Sequence, residues 1–182
     1  MSFSSTIDEV TFVALRRGCR TAQERVYHTY SGAAWTLAVR LTGCESSSWD
    51  VVQNAFIKAF TRIEQLDSRT GFAGWLRQII ARQVIDDFRK QPTQLGEPSE
   101  SATDAVDHVV NIDVQRALAA LDAVDRAVLW LHDVEGLTHS ELAALFDESV
   151  SWSKSRLSRV RARLREQLGA AEGAQQKELS HG

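Results

Sequence analysis

The chain has 182 residues, 43% of them apolar and 25% charged, with a formal net charge of −3. That length holds one ordinary domain or two small helical ones, and the composition is that of a globular protein, not of a disordered or fibrous one. No apolar run reaches the ~18 residues that cross a membrane, and residues 1–6 lack the basic stretch and apolar core of a secretion signal, so a cytoplasmic location without membrane insertion is expected.

With only 2 prolines and 10 glycines, the chain favours helices over turn-rich sheets. In the first domain, Thr6 with Glu9 and Thr21 with Glu24 have capping-box spacing and predict two helix starts. The second of these helices runs to about Leu41 and stops at Gly43. A third spans roughly residues 49–66, where Val52, Phe56, Phe60 and Ile63 recur at intervals of three and four and make one apolar face. A fourth begins near Phe72 and carries Leu76, Ile80, Val84 and Phe88 at four-residue spacing.

Both prolines, Pro92 and Pro98, then fall in one polar stretch. Proline fixes φ and removes a backbone donor, so this stretch is no helix interior. Residues 91–107 read as an acidic linker between a first domain over 1–90 and a second over 108–168, and residues 169–182 read as a flexible tail. In the second domain Val110, Val114, Leu118 and Leu121 line one helix. Asp122 caps the next, which ends at Gly136. Thr138 with Glu141 opens a short helix through Phe146, and Ser149 caps a final one whose apolar line is Val150, Leu157, Val160, Leu164 and Leu168. The expected fold is all-α: two small helical domains joined by the linker, the second containing a helix-turn-helix.

Charge separates along the chain in a way the net value hides. Residues 154–165 hold six basic groups and no acid, while residues 91–115 hold five acids and no lysine or arginine. Over residues 138–163 a short capped helix, a tight turn and a longer basic helix have helix-turn-helix dimensions, and such a second helix fits the major groove. Its outward residues are Ser151, Trp152, Lys154, Ser155, Arg156 and Arg159. Lysine and arginine suit that place because they neutralise phosphates and arginine donates twice to guanine. A solvated basic face on an ordinary amphipathic helix is the plainer alternative. On the third helix Asp50, Gln53, Asn54 and Ile57 share a face pointing away from Val52, Phe56 and Phe60. It suits a partner surface or a plain solvent face. The fourth helix interleaves Trp75 with Arg77, Arg82, Arg89 and Lys90, a mixture that suits unstacked bases and single-strand phosphates; Trp75 itself reads better as core.

Neither Cys19 and Cys44 nor the five histidines have the spacing of a metal site, and the cysteines read as buried or half-buried free thiols. The sequence offers no nucleophile–base pair and no phosphate loop, so neither a cofactor nor catalysis is expected.

Two sets of motifs resemble one family. Asp50-Val51-Val52-Gln53-Asn54-Ala55-Phe56, Phe72 with Trp75-Leu76, and Ile85-Asp86 with Arg89 are similar to the second region of extracytoplasmic-function sigma factors. Leu121 with Asp125-Arg126 and Val128, Glu135-Gly136-Leu137-Thr138, Glu141-Leu142-Ala143 and Lys154-Ser155-Arg156-Leu157 with Arg159 and Arg161 are similar to the fourth. The likeness covers about residues 20–90 and 115–166, in the family's order.

The resemblance implies a non-enzymatic protein whose partners are core RNA polymerase, through the β′ clamp helices and the β flap, and promoter DNA. It places Asp50, Gln53, Asn54 and Ile57 on the β′ subunit. Asp67, Ser68, Arg69 and the rest of the 67–71 loop would capture a flipped base of the minus-ten element; Arg77, Arg82, Gln83 and Arg89 on the fourth helix would contact the opened strand. Ser151, Trp152, Lys154, Ser155, Arg156 and Arg159 would read the minus-thirty-five duplex. The chain departs from the family pattern at Ser47-Ser48-Trp49-Asp50, which keeps one acid of an acid-rich run, at Asp147, where the turn glycine stands, and at Ser153 in place of a buried valine. The lost acidity makes Ser46, Ser47 and Ser48 candidate phosphorylation sites for a protein kinase, and the flexible linker gives an anti-sigma factor two independent domains to clamp together. A polymerase-independent helix-turn-helix regulator with a helical sensor or dimerisation domain is the alternative.

Overall fold

The computed structural model describes residue 3, residues 5–90 and residues 112–179. The expected linker, and Val110 with it, lies outside them. All the regular elements among the described residues are helical: α1 (Glu9–Arg16), α2 (Arg20–Thr42), α3 (Glu45–Thr61), α4 (Phe72–Lys90), α5 (Ile112–Ala119), α6 (Ala123–Asp133), α7 (His139–Phe146) and α8 (Val150–Leu179), with 3-10 turns at Ile63–Gln65 and Arg69–Gly71. The chain divides into two compact units, residues 1–95 and 96–182.

In the first unit α2, α3 and α4 pack against one another and α1 leans on α2. The core is made by the predicted stripes of α3 and α4, with Val52, Phe56, Leu76, Ile80 and Val84 all buried against Val26, Tyr30, Leu37 and Leu41 of α2. Aromatic edges tie the helices together: Tyr27 meets Phe56 at 4.9 Å and Tyr30 meets Phe72 at 5.3 Å between ring centroids. The buried Tyr30 hydroxyl donates to the Ser5 carbonyl at 2.6 Å, which fixes the stretch before α1. Gly43 ends α2 in the left-handed conformation (φ 73°), as a C-terminal glycine does, and its N–H reaches the Val39 carbonyl.

Several helix starts differ from expectation. Asp8, not Thr6, caps α1 by accepting from the Thr11 amide at 2.8 Å. A carboxylate one turn ahead of the apolar residues does what the Thr6–Glu9 spacing suggested, two residues later. Helix α2 starts at Arg20 with Cys19 at its cap position, so Thr21 lies inside the helix. Helix α3 starts four residues before the expected Trp49, which places all three serines in its first turns. Thr42 makes this early start workable: its hydroxyl oxygen accepts from the Cys44 amide at 3.1 Å and meets the Ser48 hydroxyl at 2.9 Å.

In the second unit α5, α6 and α7 pack on α8. Leu121, Val128, Leu131, Leu142, Phe146, Leu157 and Val160 are buried. The expected caps form: Asp122 accepts from the Asp125 amide at 2.7 Å, Ser149 accepts from the Trp152 amide at 3.0 Å, and Thr138 and Glu141 complete a reciprocal capping box. Val150 is 40% exposed and so falls outside the apolar line assigned to it. Helix α8 continues past Gly169 to Leu179, because alanine, glutamate, glutamine and lysine dominate there and no proline stops it. Cys19 is exposed and Cys44 half-buried; both are free thiols.

Candidate nucleic-acid interface

The helix-turn-helix is built from α7 and α8. Asp147 closes α7 in the left-handed region (φ 53°, ψ 44°), a conformation that aspartate tolerates better than most residues, and its N–H returns to the Ala143 carbonyl. Three residues later α8 begins, so the turn is tight. Ser153 is fully buried where α8 crosses α7, and its hydroxyl meets His139 Nδ1 at 3.1 Å. The His139 ring stacks on His132 at 4.6 Å, and the His132 Nδ1–H donates to the Leu137 carbonyl at 2.7 Å. This small polar contact satisfies the hydroxyl that stands where the family has a valine.

The basic residues of α8 divide into two groups. Arg156, Arg161 and Arg163 turn back to α6: Arg156 Nε lies 2.6 Å from Asp125, its Nη2 3.2 Å from Asp122, Arg163 Nη1 2.9 Å from Asp125 and Arg161 Nη2 2.5 Å from Asp133. The Arg156 guanidinium also lies 5.5 Å from the Trp152 ring, which itself rests against Phe146. Lys154 and Arg159 are exposed and form no ion pair among the described residues, and Ser151 and Ser155 are exposed beside them. Of the six residues expected on the duplex, four therefore face outward without partners among the described residues, while Trp152 and Arg156 are half-buried and engaged in the fold. The acid-free run of α8 hid this division, because its counter-charges sit about thirty residues earlier.

In the first unit Asp50, Gln53, Asn54 and Ile57 are exposed along one face of α3, with Ile57 at 55%. Trp49 extends the same surface at 52% exposure, one edge of its ring near Trp35. Of the three serines only Ser46 is exposed; Ser47 is half-buried. Ser48 is fully buried, with its hydroxyl donating to the Cys44 carbonyl at 2.5 Å, so it is removed from the candidate phosphorylation sites. Cys44, at the cap position of α3, has its thiol lowered to about 7 by hydrogen bonds from the Ser46 hydroxyl and then from the Ser47 amide and hydroxyl.

Along the loop and α4, Asp67, Ser68, Arg82 and Arg89 are exposed and Arg77 is half-buried, its guanidinium 5.6 Å from the Phe3 ring. Trp75 is half-buried edge-on to Phe72, a structural placement. Gln83 departs from expectation. It is 7% exposed, its amide oxygen accepts from Lys58 on α3, and its nitrogen donates to both oxygens of Asp87 at 3.0 Å. Four-residue spacing puts Gln83 beside Asp87 and one turn from buried Ile80, so it links α3 to α4 and is withdrawn from the strand-facing set. Arg69 is also engaged, with Glu9 and the Ile7 carbonyl.

Comparisons with known proteins bear on the family and the fold. The model of sigma-70 region 2 matches residues 26–93, and that of sigma-70 region 4 matches residues 112–164. A probable RNA polymerase sigma factor, RfaY of Xanthomonas campestris, is 29% identical over 83% of this chain. The extracytoplasmic-function sigma factors SigE of Mycolicibacterium smegmatis and SigW of Bacillus subtilis are 28% and 26% identical over 91% and 85% of it. The match spans 41% and 66% of the lengths of the first two relatives, and 92% of SigW. Among solved structures, CnrH in complex with the cytosolic domain of CnrY aligns over 90% of this chain and 97% of its own with a TM-score of 0.59 at 26% identity. The sigma factor RpoE of Bartonella quintana, solved with the anti-sigma factor NepR, shares the fold at a TM-score of 0.59 over 80% of this chain and 96% of its own. With both family regions in order on one all-helical chain, the protein belongs to the extracytoplasmic-function family of RNA polymerase sigma factors.

Proposed function

We propose that this chain binds core RNA polymerase and directs it to promoters, with no catalytic step of its own. The observation that carries the reading is the outward face of α8: Lys154 and Arg159 stand exposed, with no ion pair among the described residues, directly after a capped helix and a tight turn, on a chain whose other unit matches region 2. That face would lie in the minus-thirty-five major groove, with Ser151 and Ser155 beside it, while Arg156 braces the helix from behind. The face of Asp50, Gln53, Asn54 and Ile57, widened by Trp49, would dock on the β′ clamp helices; its exposed apolar side chains supply contact area where the family's acids are few. The 67–71 loop would capture the minus-ten base, and Arg82 and Arg89 would follow the opened strand.

Control by an anti-sigma factor is proposed because the similar RpoE structure is a complex with the anti-sigma factor NepR, and the similar CnrH structure is a complex with the cytosolic domain of another protein, CnrY. Phosphorylation at Ser46 is the second proposed control, since Ser46 is the exposed serine at the start of α3, where the backbone dipole favours an anion. Run-off transcription with purified core polymerase on a genomic promoter library tests the reading. Chain-dependent transcripts with a shared upstream sequence are expected. DNA binding without polymerase recruitment would favour a helix-turn-helix regulator instead.

A further inference from the structure

The chain's own N-terminal stretch holds the 67–71 loop from outside. Arg69 turns away from the loop and reaches the first helix: its Nε lies 2.9 Å from Glu9 Oε2, and its Nη1 donates to the Ile7 carbonyl at 3.1 Å. The backbone that carries both acceptors is itself held. Ile7 is 5% exposed, Tyr30 of α2 holds the Ser5 carbonyl, and Asp8 caps α1. Arg25 of α2 donates to the Thr11 hydroxyl at 3.3 Å. Within the loop Ser68 accepts from the Thr70 amide, and Gly71 N–H donates to the Ser68 carbonyl at 3.1 Å. The result is a short turn pinned at its centre, with Asp67, Ser68 and Thr70 exposed and Arg69 drawn inward.

We infer that Glu9 is a positioning residue for base capture: by holding Arg69 it presents Asp67, Ser68 and Thr70 in one arrangement, and Arg69 is a strut, not a reader. The inference rests on the proposed role of the 67–71 loop. The pair is too exposed to matter much to global stability, since the Arg69 and Glu9 side chains are 40% and 68% accessible. Its effect is local. A guanidinium bound to the Ile7 carbonyl and the Glu9 carboxylate removes loop conformations that the free chain would otherwise have to abandon on binding a base.

The test uses the full chain with core polymerase on templates carrying each of the four bases at the captured position. Glu9→Gln is expected to lower discrimination between the preferred base and the others by about two- to fivefold, the range an exposed ion pair commands. Binding of the minus-thirty-five duplex should be unchanged. Exchanging the poles, Glu9→Arg with Arg69→Glu, should recover part of the discrimination, because the ion pair is rebuilt while the bond to the Ile7 carbonyl, which needs a donor at position 69, is not. If Arg69 instead touches DNA, that exchange places a carboxylate against phosphates and discriminates worse than Arg69→Ala, which overturns the inference. Unaltered discrimination in Glu9→Gln also overturns it. Asp67→Ala and Ser68→Ala separate the two levels: if neither changes base preference, the role of the loop itself falls, whereas a change there with an unaltered Glu9→Gln removes only the strut.

Discussion

The Asp125 carboxylate lies 2.6 Å from Arg156 Nε and 2.9 Å from Arg163 Nη1, so a single acid on α6 fixes two turns of α8. Asp125 is 5% exposed, while the two arginine side chains are 23% and 59% accessible. A buried carboxylate is tolerable only because both oxygens are used. Removing it leaves Arg156 with Asp122 alone among its acids, takes the carboxylate from Arg163, and leaves the crossing of α6 and α8 to apolar contact and to the more exposed pairs Arg156–Asp122 and Arg161–Asp133. Asp125→Ala is expected to destabilise the second unit by about 3 kcal/mol, with Asp125→Asn, which keeps one acceptor, costing less. Chemical denaturation of the full chain, followed by a probe in the second unit, measures this.

The division of α8 into bracing and outward arginines predicts two kinds of DNA-binding defect. Lys154→Ala and Arg159→Ala should each lower the salt slope of duplex binding by about one if the residue meets a phosphate, and leave the fold intact. If Arg159 instead reads a guanine, its removal should cost about 1–3 kcal/mol at one base pair. Arg156→Ala should weaken binding through a less stable second unit, with a similar salt slope. Fluorescence anisotropy across a salt series distinguishes these outcomes, and an Arg156→Ala slope that falls like that of Lys154→Ala would return Arg156 to the interface.

The stripes Val52–Phe56 and Leu76–Ile80–Val84 were legible because helical periodicity is written in neighbouring residues, and so were the caps at Asp122, Thr138 and Ser149. The roles of Gln83, Arg156 and Arg69 were not. Each depends on a partner far along the chain: Lys58, Asp125 and Glu9. A polar side chain on a helix looks the same in sequence whether it meets solvent, a nucleic acid or a residue brought close by folding. The early start of α3 was hidden for a related reason, since serines serve equally before a helix and within its first turn.

The three serines of that turn should respond differently to added charge. Ser46→Asp places an anion on the exposed N-terminal end of α3 and should be neutral or stabilising by up to about 1 kcal/mol. Ser48→Asp forces a carboxylate into a fully buried site and breaks the contacts with Thr42 and Cys44. It should cost about 3 kcal/mol or more. Thermal unfolding of the two variants checks the order. Core-polymerase affinity of Ser46→Asp, raised most at low salt, tests the proposed control.

Cys44 should be unusually reactive for a cysteine. Its thiol is lowered to about 7, so about half is thiolate at neutral pH. The rate of iodoacetamide labelling at Cys44, resolved by mass spectrometry, should reach half its plateau near that pH. The Ser46 hydroxyl is the largest cause, so Ser46→Ala should move the midpoint upward. An unchanged midpoint would mean that the Ser47 amide and hydroxyl, with the Ser46 amide, carry the effect.

The stacked pair His132 and His139 predicts a loss of stability of the second unit in mild acid. Burial of the His139 ring, the neighbouring His132, and the cations Lys154 and Arg161 all disfavour a charged imidazole, and hold His139 below its ordinary 6.5. The Ser153 hydroxyl, fully buried at 3.1 Å from Nδ1, sits on the same ring. The unfolded chain therefore takes up the proton first. Stability from this source is fully present above the ordinary value and is lost as pH falls from there through the lowered one. Denaturant midpoints for the second unit should be level from about pH 8 to 7 and drop as pH falls below about 6.5, the ordinary histidine value. His139→Gln keeps a partner for Ser153 but cannot take up the proton, so its midpoint should change less over the same interval. Duplex binding adds an opposing trend, because protonated histidines beside α8 would attract phosphate. The two are separated by measuring stability without DNA. An equal acid response in His139→Gln would assign the titration to other groups and leave the His139–Ser153 contact as packing alone.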